Sequence, residues 1–342
     1  MRGTAIAGAA LIGWLAGCGG GSDKPVGKPV GDASTPEAGR DASSAGSPGV
    51  SGSSTSPIGH VIVVAMENEN LGEIYGNGTD APYINGTLFR TGARAMSFID
   101  QLPAGSPSEP HYVWMEAGTN VFDDHTFTTD SAPSATNSTA STAHLATQIV
   151  GAGLSWTAYE EGIDATTGAC PIAGSGFYAP KHDPFVFFRD VAGSPPAKTT
   201  PACAAHFKDI SALAGDLSAS AIANYVFITP NLCHDMHGAT GCPDSNWIRA
   251  GDTWLGENLP PILGFAAAHA GVVFVLWDEG DSSGHVPFLA LGPGVKPGYA
   301  GALTYTHSSV LKSLEEMLGL PILPAVASVD DLSDLFVAGR VP

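Results

Sequence analysis

Residues 60–68 read HVIVVAMEN, a seven-residue run that is apolar after its first histidine and stops on a carboxylate and an amide. Without any polar alternation, such a run belongs to a strand covered on both faces, the usual condition in a parallel sheet. Similar runs recur along the chain at 95–99, 155–159, 224–229 (NYVFIT), 272–277 (VVFVLW) and 288–291. Between them lie amphipathic stretches that predict helices at 82–91, 142–151, 210–221, 247–269 and 308–318. Alternation of this kind predicts an α/β fold with a central, mostly parallel sheet flanked by helices.

Ligand sites in such sheets form beyond the carboxyl ends of the strands, so the residues that follow each run carry the functional information. HVIVVAM is followed by Glu67 and Asn68, VVFVLW by Asp278 and Glu279, and the 155–159 run by Glu160 and Glu161. NYVFIT leads to Asn231 and then to His234, Asp235 and His237. A hard divalent cation, Mg²⁺, Ca²⁺ or Mn²⁺, prefers oxygen ligands, and Glu67, the Asn68 amide, Asp278 and Glu279 supply four. His182, which follows Lys181, and His237 are suited to hydrogen-bonding phosphate oxygens or protonating a leaving alcohol. His111, His234 and His285 are further candidates.

Composition bounds the function. The 342 residues carry 33 acidic and 14 basic side chains, a formal charge of −19, which excludes the basic patch that nucleic-acid binding requires. Residues 1–17 pair an early arginine with an apolar stretch too short to span a bilayer, as in a signal peptide. That stretch ends Leu15-Ala16-Gly17-Cys18, which resembles the bacterial lipobox and predicts lipidation of Cys18. Residues 18–57 are rich in Gly, Ser and Pro and predict a tether of roughly 40 residues with a reach of about 35 Å. Residues 58–342 then suit one large catalytic domain. The expected location is the bacterial cell envelope, periplasmic or surface, with membrane contact through the lipid. Four cysteines remain, Cys170, Cys203, Cys233 and Cys242, which in an exported chain predict two disulfides. The simplest pairing is Cys170–Cys203 with Cys233–Cys242, one of three possible connectivities.

Six segments in order carry a family resemblance: VVAMEN at 63–68, SEPHY at 108–112, YAPKHDPF at 178–185, TPNLCHDMH at 229–237, WDE at 277–279, and GPGV at 292–295 with HSSVL at 307–311. They resemble the bacterial phosphoesterases that include acid phosphatases and phosphatidylcholine-type phospholipases C, distant relatives of alkaline phosphatase. The resemblance implies an alkaline phosphatase-like fold. It also implies a single divalent metal on Glu67, Asn68, Asp278 and Glu279, a nucleophilic turn at Ser108 that also touches the metal, and His182 at the phosphate. Two positions depart from the pattern, His111 and Asp183 standing where the family usually has Asn.

The expected activity is that of a metal-dependent acid phosphatase that cleaves phosphomonoesters through a phosphoserine, with Asp235 orienting His237. Phospholipids and phosphoinositides are candidate substrates. Neighbouring carboxylates are expected to raise the pKa of His182 and His237, making them cations and favouring acid pH. The alternatives are a phospholipase C-type phosphodiesterase and a non-catalytic ligand-binding lipoprotein. The GDSSG segment at 280–284 superficially resembles a serine-protease nucleophile loop, but a turn after an apolar strand is the simpler reading.

Overall fold

The computed structural model describes residues 58–164, 168–280 and 284–338. The signal peptide, Cys18, the tether and positions 281–283 of the GDSSG segment lie outside the described residues. All described residues belong to one compact unit bounded at Ser53 and Pro342. None of their helices is long and apolar enough to cross a membrane.

The sheet contains β1 (His60–Met66), β2 (Ala93–Phe98), β3 (Trp156–Glu160), β4 (Phe207–Asp209), β5 (Tyr225–Thr229), β6 (Gly271–Trp277), β7 (Phe288–Leu291) and β8 (Ala300–Tyr305). Their order is β4-β3-β5-β1-β6-β7-β2-β8, and every neighbouring pair is parallel except those involving β7. The expected α/β architecture is therefore the observed one. β1 lies between β5 and β6 with every residue after His60 buried, which is why its sequence shows no alternation.

Register turns this topology into a site. Met66 pairs with Trp277, so β1 and β6 end level and release Glu67 and Asp278 side by side. Two backbone bonds continue past the strand ends, Asp278 N–H to Met66 O at 3.1 Å and Glu67 N–H to Asp235 O at 2.8 Å. The second ties the segment after β5 to the end of β1.

Among the described residues, the helices of seven residues or more are α1 (Ser108–Ala117), α2 (Leu145–Gly151), α3 (Trp247–Ala268) and α4 (His307–Met317). α1 corrects the reading of 108–112 as a turn. Pro110 sits in the first helical turn, where a missing N–H is no loss, so proline starts this helix rather than breaking it. The helix ends at Gly118 with φ +68°, where a Cβ would come within 2.5 Å of Val326. α4 is joined to the central strands by His307, whose Nε2–H donates to Trp277 O at 2.9 Å.

Two disulfides, Cys170–Cys203 and Cys233–Cys242, adopt the simplest of the three pairings. The second closes the segment that carries Asp235 and His237.

Candidate active site

Ser108 is the first residue of α1, and its side chain lies between two carboxylates delivered by different strands. Oγ is 3.1 Å from Glu67 Oε2 and 3.1 Å from Glu279 Oε1. A hydroxyl has one proton and can donate to only one of these acceptors at a time. The other approach requires a protonated carboxyl or a cation between the oxygens.

Glu67, Asp235 and Asp278 are completely buried. Burial, reinforced by Asp235, holds the Glu67 carboxyl well above the usual carboxylate range. Asp278 is raised in the same sense by burial and then by Glu67 and Glu279, and Asp235 by burial and then by Asp278. Glu279 is raised by burial against the lowering influence of His111. Glu67 Oε1, Asp235 Oδ2 and Asp278 Oδ2 are buried and have no hydrogen-bond partner. Buried acidic oxygens without donors are a set that a hard cation could satisfy.

The histidines complete the donor set. His182 stacks on Tyr112 of α1, with ring centroids 5.2 Å apart and planes 14° from parallel. Its Nδ1 lies 3.3 Å from Asp235 Oδ2, and its Nε2 lies 3.3 Å from Glu67 Oε2 but out of line for a hydrogen bond. His237 Nδ1 is 2.8 Å from Gly238 O, so this nitrogen carries the proton and Nε2 presents a lone pair. Gly238 has φ +74°, and a Cβ there would overlap the Trp247 indole at 2.0 Å. One possible ligand atom each from Glu67, His182 and His237 lies within 4.8 Å of the others, and the same holds for His111, Asp278 and Glu279.

The electrostatics correct one expectation. Both histidines are lowered rather than raised, His182 well below the ordinary imidazole range by burial and then by Lys181, and His237 chiefly by burial. Desolvation and an adjacent ammonium outweigh the carboxylates. Asp235 meets both histidine segments: its Oδ1 accepts the His237 backbone N–H at 2.8 Å, and its Oδ2 lies 3.3 Å from His182 Nδ1.

The two departures from the family pattern have physical consequences. Both nitrogens of His111 are engaged, Nδ1 with Pro107 O at 2.8 Å and Nε2 with Asp100 Oδ1 at 2.9 Å. Burial lowers its pKa, but the Asp100 hydrogen bond and the charges of Asp278 and Glu279 prevail and raise it to about 9. His111 is thereby a buried imidazolium beside two site carboxylates, with no lone pair left for a metal. Asp183 is buried near Glu160 and is pushed up to about 8, chiefly by desolvation. It accepts the Phe185 N–H at 3.0 Å and the Tyr178 hydroxyl at 3.3 Å.

Among the remaining candidates, the Asn68 backbone N–H donates to Asp278 Oδ1 at 3.2 Å. His234 pairs with Glu161 at 2.8 Å and is 38% exposed, away from the buried donors. His285 contributes its carbonyl, which accepts the Leu71 N–H. Asp100, which pairs with His111, and Glu109, beside Ser108, carry no signal in the sequence. Residues 126–142 supply Asp130, whose carboxylate pairs with Lys181. Pairs of this kind join segments far apart in the chain and leave no periodic signal.

The sequence model of the phosphoesterase family matches residues 92–321. Over 290 residues the chain is 28% identical to a phosphatidylinositol-3-phosphatase of Mycobacterium tuberculosis, covering 84% of this chain and 86% of that one. It is 29% identical over 160 residues to a phosphate-repressible acid phosphatase of Penicillium chrysogenum, covering 45% of this chain and 36% of the relative's length. A solved protein of the alkaline phosphatase superfamily from Vibrio parahaemolyticus shares the fold, with a TM-score of 0.50 and 11% identity over 80% of this chain and 69% of that one.

Proposed function

This chain belongs to the phosphoesterase family and is a phosphoric ester hydrolase, and from that premise we propose that it cleaves phosphomonoesters through a phosphoserine on Ser108 with the aid of a divalent metal. The observation that carries this reading is the Ser108 hydroxyl held 3.1 Å from both Glu67 and Glu279 at the start of a helix.

The donor set fits a cation, since three fully buried carboxylate oxygens lack partners and two neutral imidazoles face them. Glu67, His182 and His237 form one ligand group, and Asp278 and Glu279 the other, with Asn68 beside them. His111 supplies charge rather than a lone pair. When bound, the metal would lower the pKa of a coordinated hydroxyl and neutralise phosphate charge. Imidazole ligands suit a borderline cation such as Zn²⁺ better than Mg²⁺ or Ca²⁺.

The chain's own residues then divide the work. The Ser108 proton passes to the carboxylate its hydroxyl already addresses, and Oγ attacks phosphorus. The P–O bond to the substrate alcohol breaks, and the alcohol leaves with the proton that the carboxylate took from Ser108. Water then attacks the phosphoserine, releasing phosphate and restoring the Ser108 hydroxyl. The His111 imidazolium adds positive charge on the Asp278–Glu279 side, and Ser108 itself sits at the positive N-terminal end of α1.

A phosphoinositide is a candidate substrate because the Mycobacterium tuberculosis relative is named for one. Export with a lipid on Cys18 is also proposed from the lipobox, and Cys18→Ala would then yield a chain lacking the lipid mass. Detection of that mass on the variant would refute the anchor. The test of function is a panel of aryl phosphate, bis-aryl phosphate, phosphatidylcholine and phosphatidylinositol 3-phosphate. Monoester hydrolysis should dominate, stop with a chelator and fall by at least about 10³-fold in Ser108→Ala. A diester preference, or an active Ser108→Ala, would overturn the reading.

A further inference from the structure

Lys181 and Asp130 face each other at the edge of the site, and the mechanism above uses neither. The Lys181 ammonium donates to Asp130 Oδ2 and lies 3.4 Å from His237 Nε2. Its charge is felt at Glu67, Asp235, His182 and His237, which puts it on the Glu67 side of the metal ligands. The Lys181 side chain is 17% exposed and that of Asp130 is 41% exposed.

Asp130 does not reach this position through a loosely placed loop. Glu109, the residue after the nucleophile, accepts from Thr129 Oγ1 at 3.0 Å and from Ser131 N–H at 2.7 Å, fastening both neighbours of Asp130. It also accepts from Asn137 at 3.0 Å. The segment is thus held by the Thr129 side chain and the Ser131 backbone, while the Asp130 side chain is 41% exposed. An acidic site that must admit a phosphate dianion already contains a surplus of negative charge, and adding another carboxylate on its cation works against binding.

On the reading that the enzyme cleaves phosphomonoesters, we infer that Lys181 binds a non-bridging phosphate oxygen and that Asp130 stands in for that oxygen until substrate displaces it. Asp130 is a built-in competitor, and Lys181 is a specificity residue favouring dianionic monoesters over singly charged diesters. A half-exposed ion pair is weak enough to be displaced, whereas a phosphate oxygen on Lys181 forms a charge-assisted bond in a drier place.

The test is calorimetric binding of inorganic phosphate to the full-length metal-loaded protein, in wild type, Asp130→Asn, Lys181→Gln and the double variant. Asp130→Asn, at an exposed position, should tighten phosphate binding about two- to fivefold, the worth of an exposed ion pair. Lys181→Gln should weaken it roughly ten- to a hundredfold, and Asp130→Asn should have no effect in that background. Lys181→Gln should also reduce kcat/KM for an aryl phosphate more than for a bis-aryl phosphate. Because binding is measured without turnover, a protein that hydrolyses neither ester would sink the functional reading while still deciding this one. Weaker phosphate binding in Asp130→Asn, an undiminished Asp130→Asn effect without Lys181, or no phosphate binding in any variant would overturn the competitor role.

Discussion

Among single residues, what distinguishes the site is a group of fully buried carboxyls drawn from separate segments of the chain. In the unfolded chain Glu67, Asp235 and Asp278 ionise near pH 4. In the folded, metal-free protein all three are raised well above that, mainly by burial. The folded state therefore keeps protons that the unfolded state releases, and these groups subtract stability as pH rises from about 4. A cation needs the deprotonated form, so its affinity moves in the opposite direction. Saturating Zn²⁺ or Mn²⁺ should raise Tm more at pH 7 than at pH 5, and Glu67→Gln should lose most of the rise. At a metal concentration 100 times Kd, the gain is about 2.7 kcal/mol. An equal rise at both pH values, or one retained in Glu67→Gln, would count against the metal site. The carboxylates were legible because each follows an apolar strand. The downward shift of His182 was not, because it depends on the packing of Tyr112 and Lys181 around the ring.

At the scale of elements, the strands that build the site were the most legible, and α1 the least. β1 and β7 have the bounds expected from their apolar runs, and β2, β3, β5 and β6 lie within two residues of theirs. β4 and β8 were missed. The first has three half-buried residues, and the second exposes four of its six residues at the sheet edge, so neither presents an apolar run. α1 buries every residue except Trp114 and therefore has no polar face to reveal a helical period. Its far end is held by a charged cluster. Glu116 of α1 lies 3.3 Å from Nδ1 of His144, at the start of α2, and Asp190 lies 3.1 Å from Nε2. Burial lowers the His144 pKa, but the two carboxylates prevail and raise it to about 9. The folded state thus binds this proton more tightly than an unfolded histidine of pKa about 6.5. The resulting stability is fully present below about pH 6.5 and is lost as pH rises through about 9. The advantage of wild type over His144→Gln in unfolding free energy, at most on the order of 3 kcal/mol, should shrink between pH 6.5 and 9.5. A constant or growing difference would show that His144 is buried neutral.

At the scale of the whole molecule, one sheet with β1 at its middle explains why residues as distant as Glu67 and Glu279 meet at one hydroxyl. Parallel neighbours end on the same side, and the level register of β1 with β6 aligns their last residues. The order of motifs along the chain pointed to this convergence, but the added cation, His111, and the Asp130–Lys181 pair are products of tertiary folding. With 14 basic against 33 acidic side chains and a formal charge of −19, the positive groups at the site are scarce and individually consequential. The central claim is that phosphate passes through Ser108. Rapid acid quenching of the metal-loaded enzyme during turnover of an aryl phosphate, followed by mass analysis of the peptide bearing Ser108, tests it most directly. One added phosphoryl group on Ser108 is expected, appearing at the rate of alcohol release and absent from Ser108→Ala. Steady turnover with Ser108 unmodified, in a variant or condition where phosphoserine hydrolysis is slowed, would contradict it.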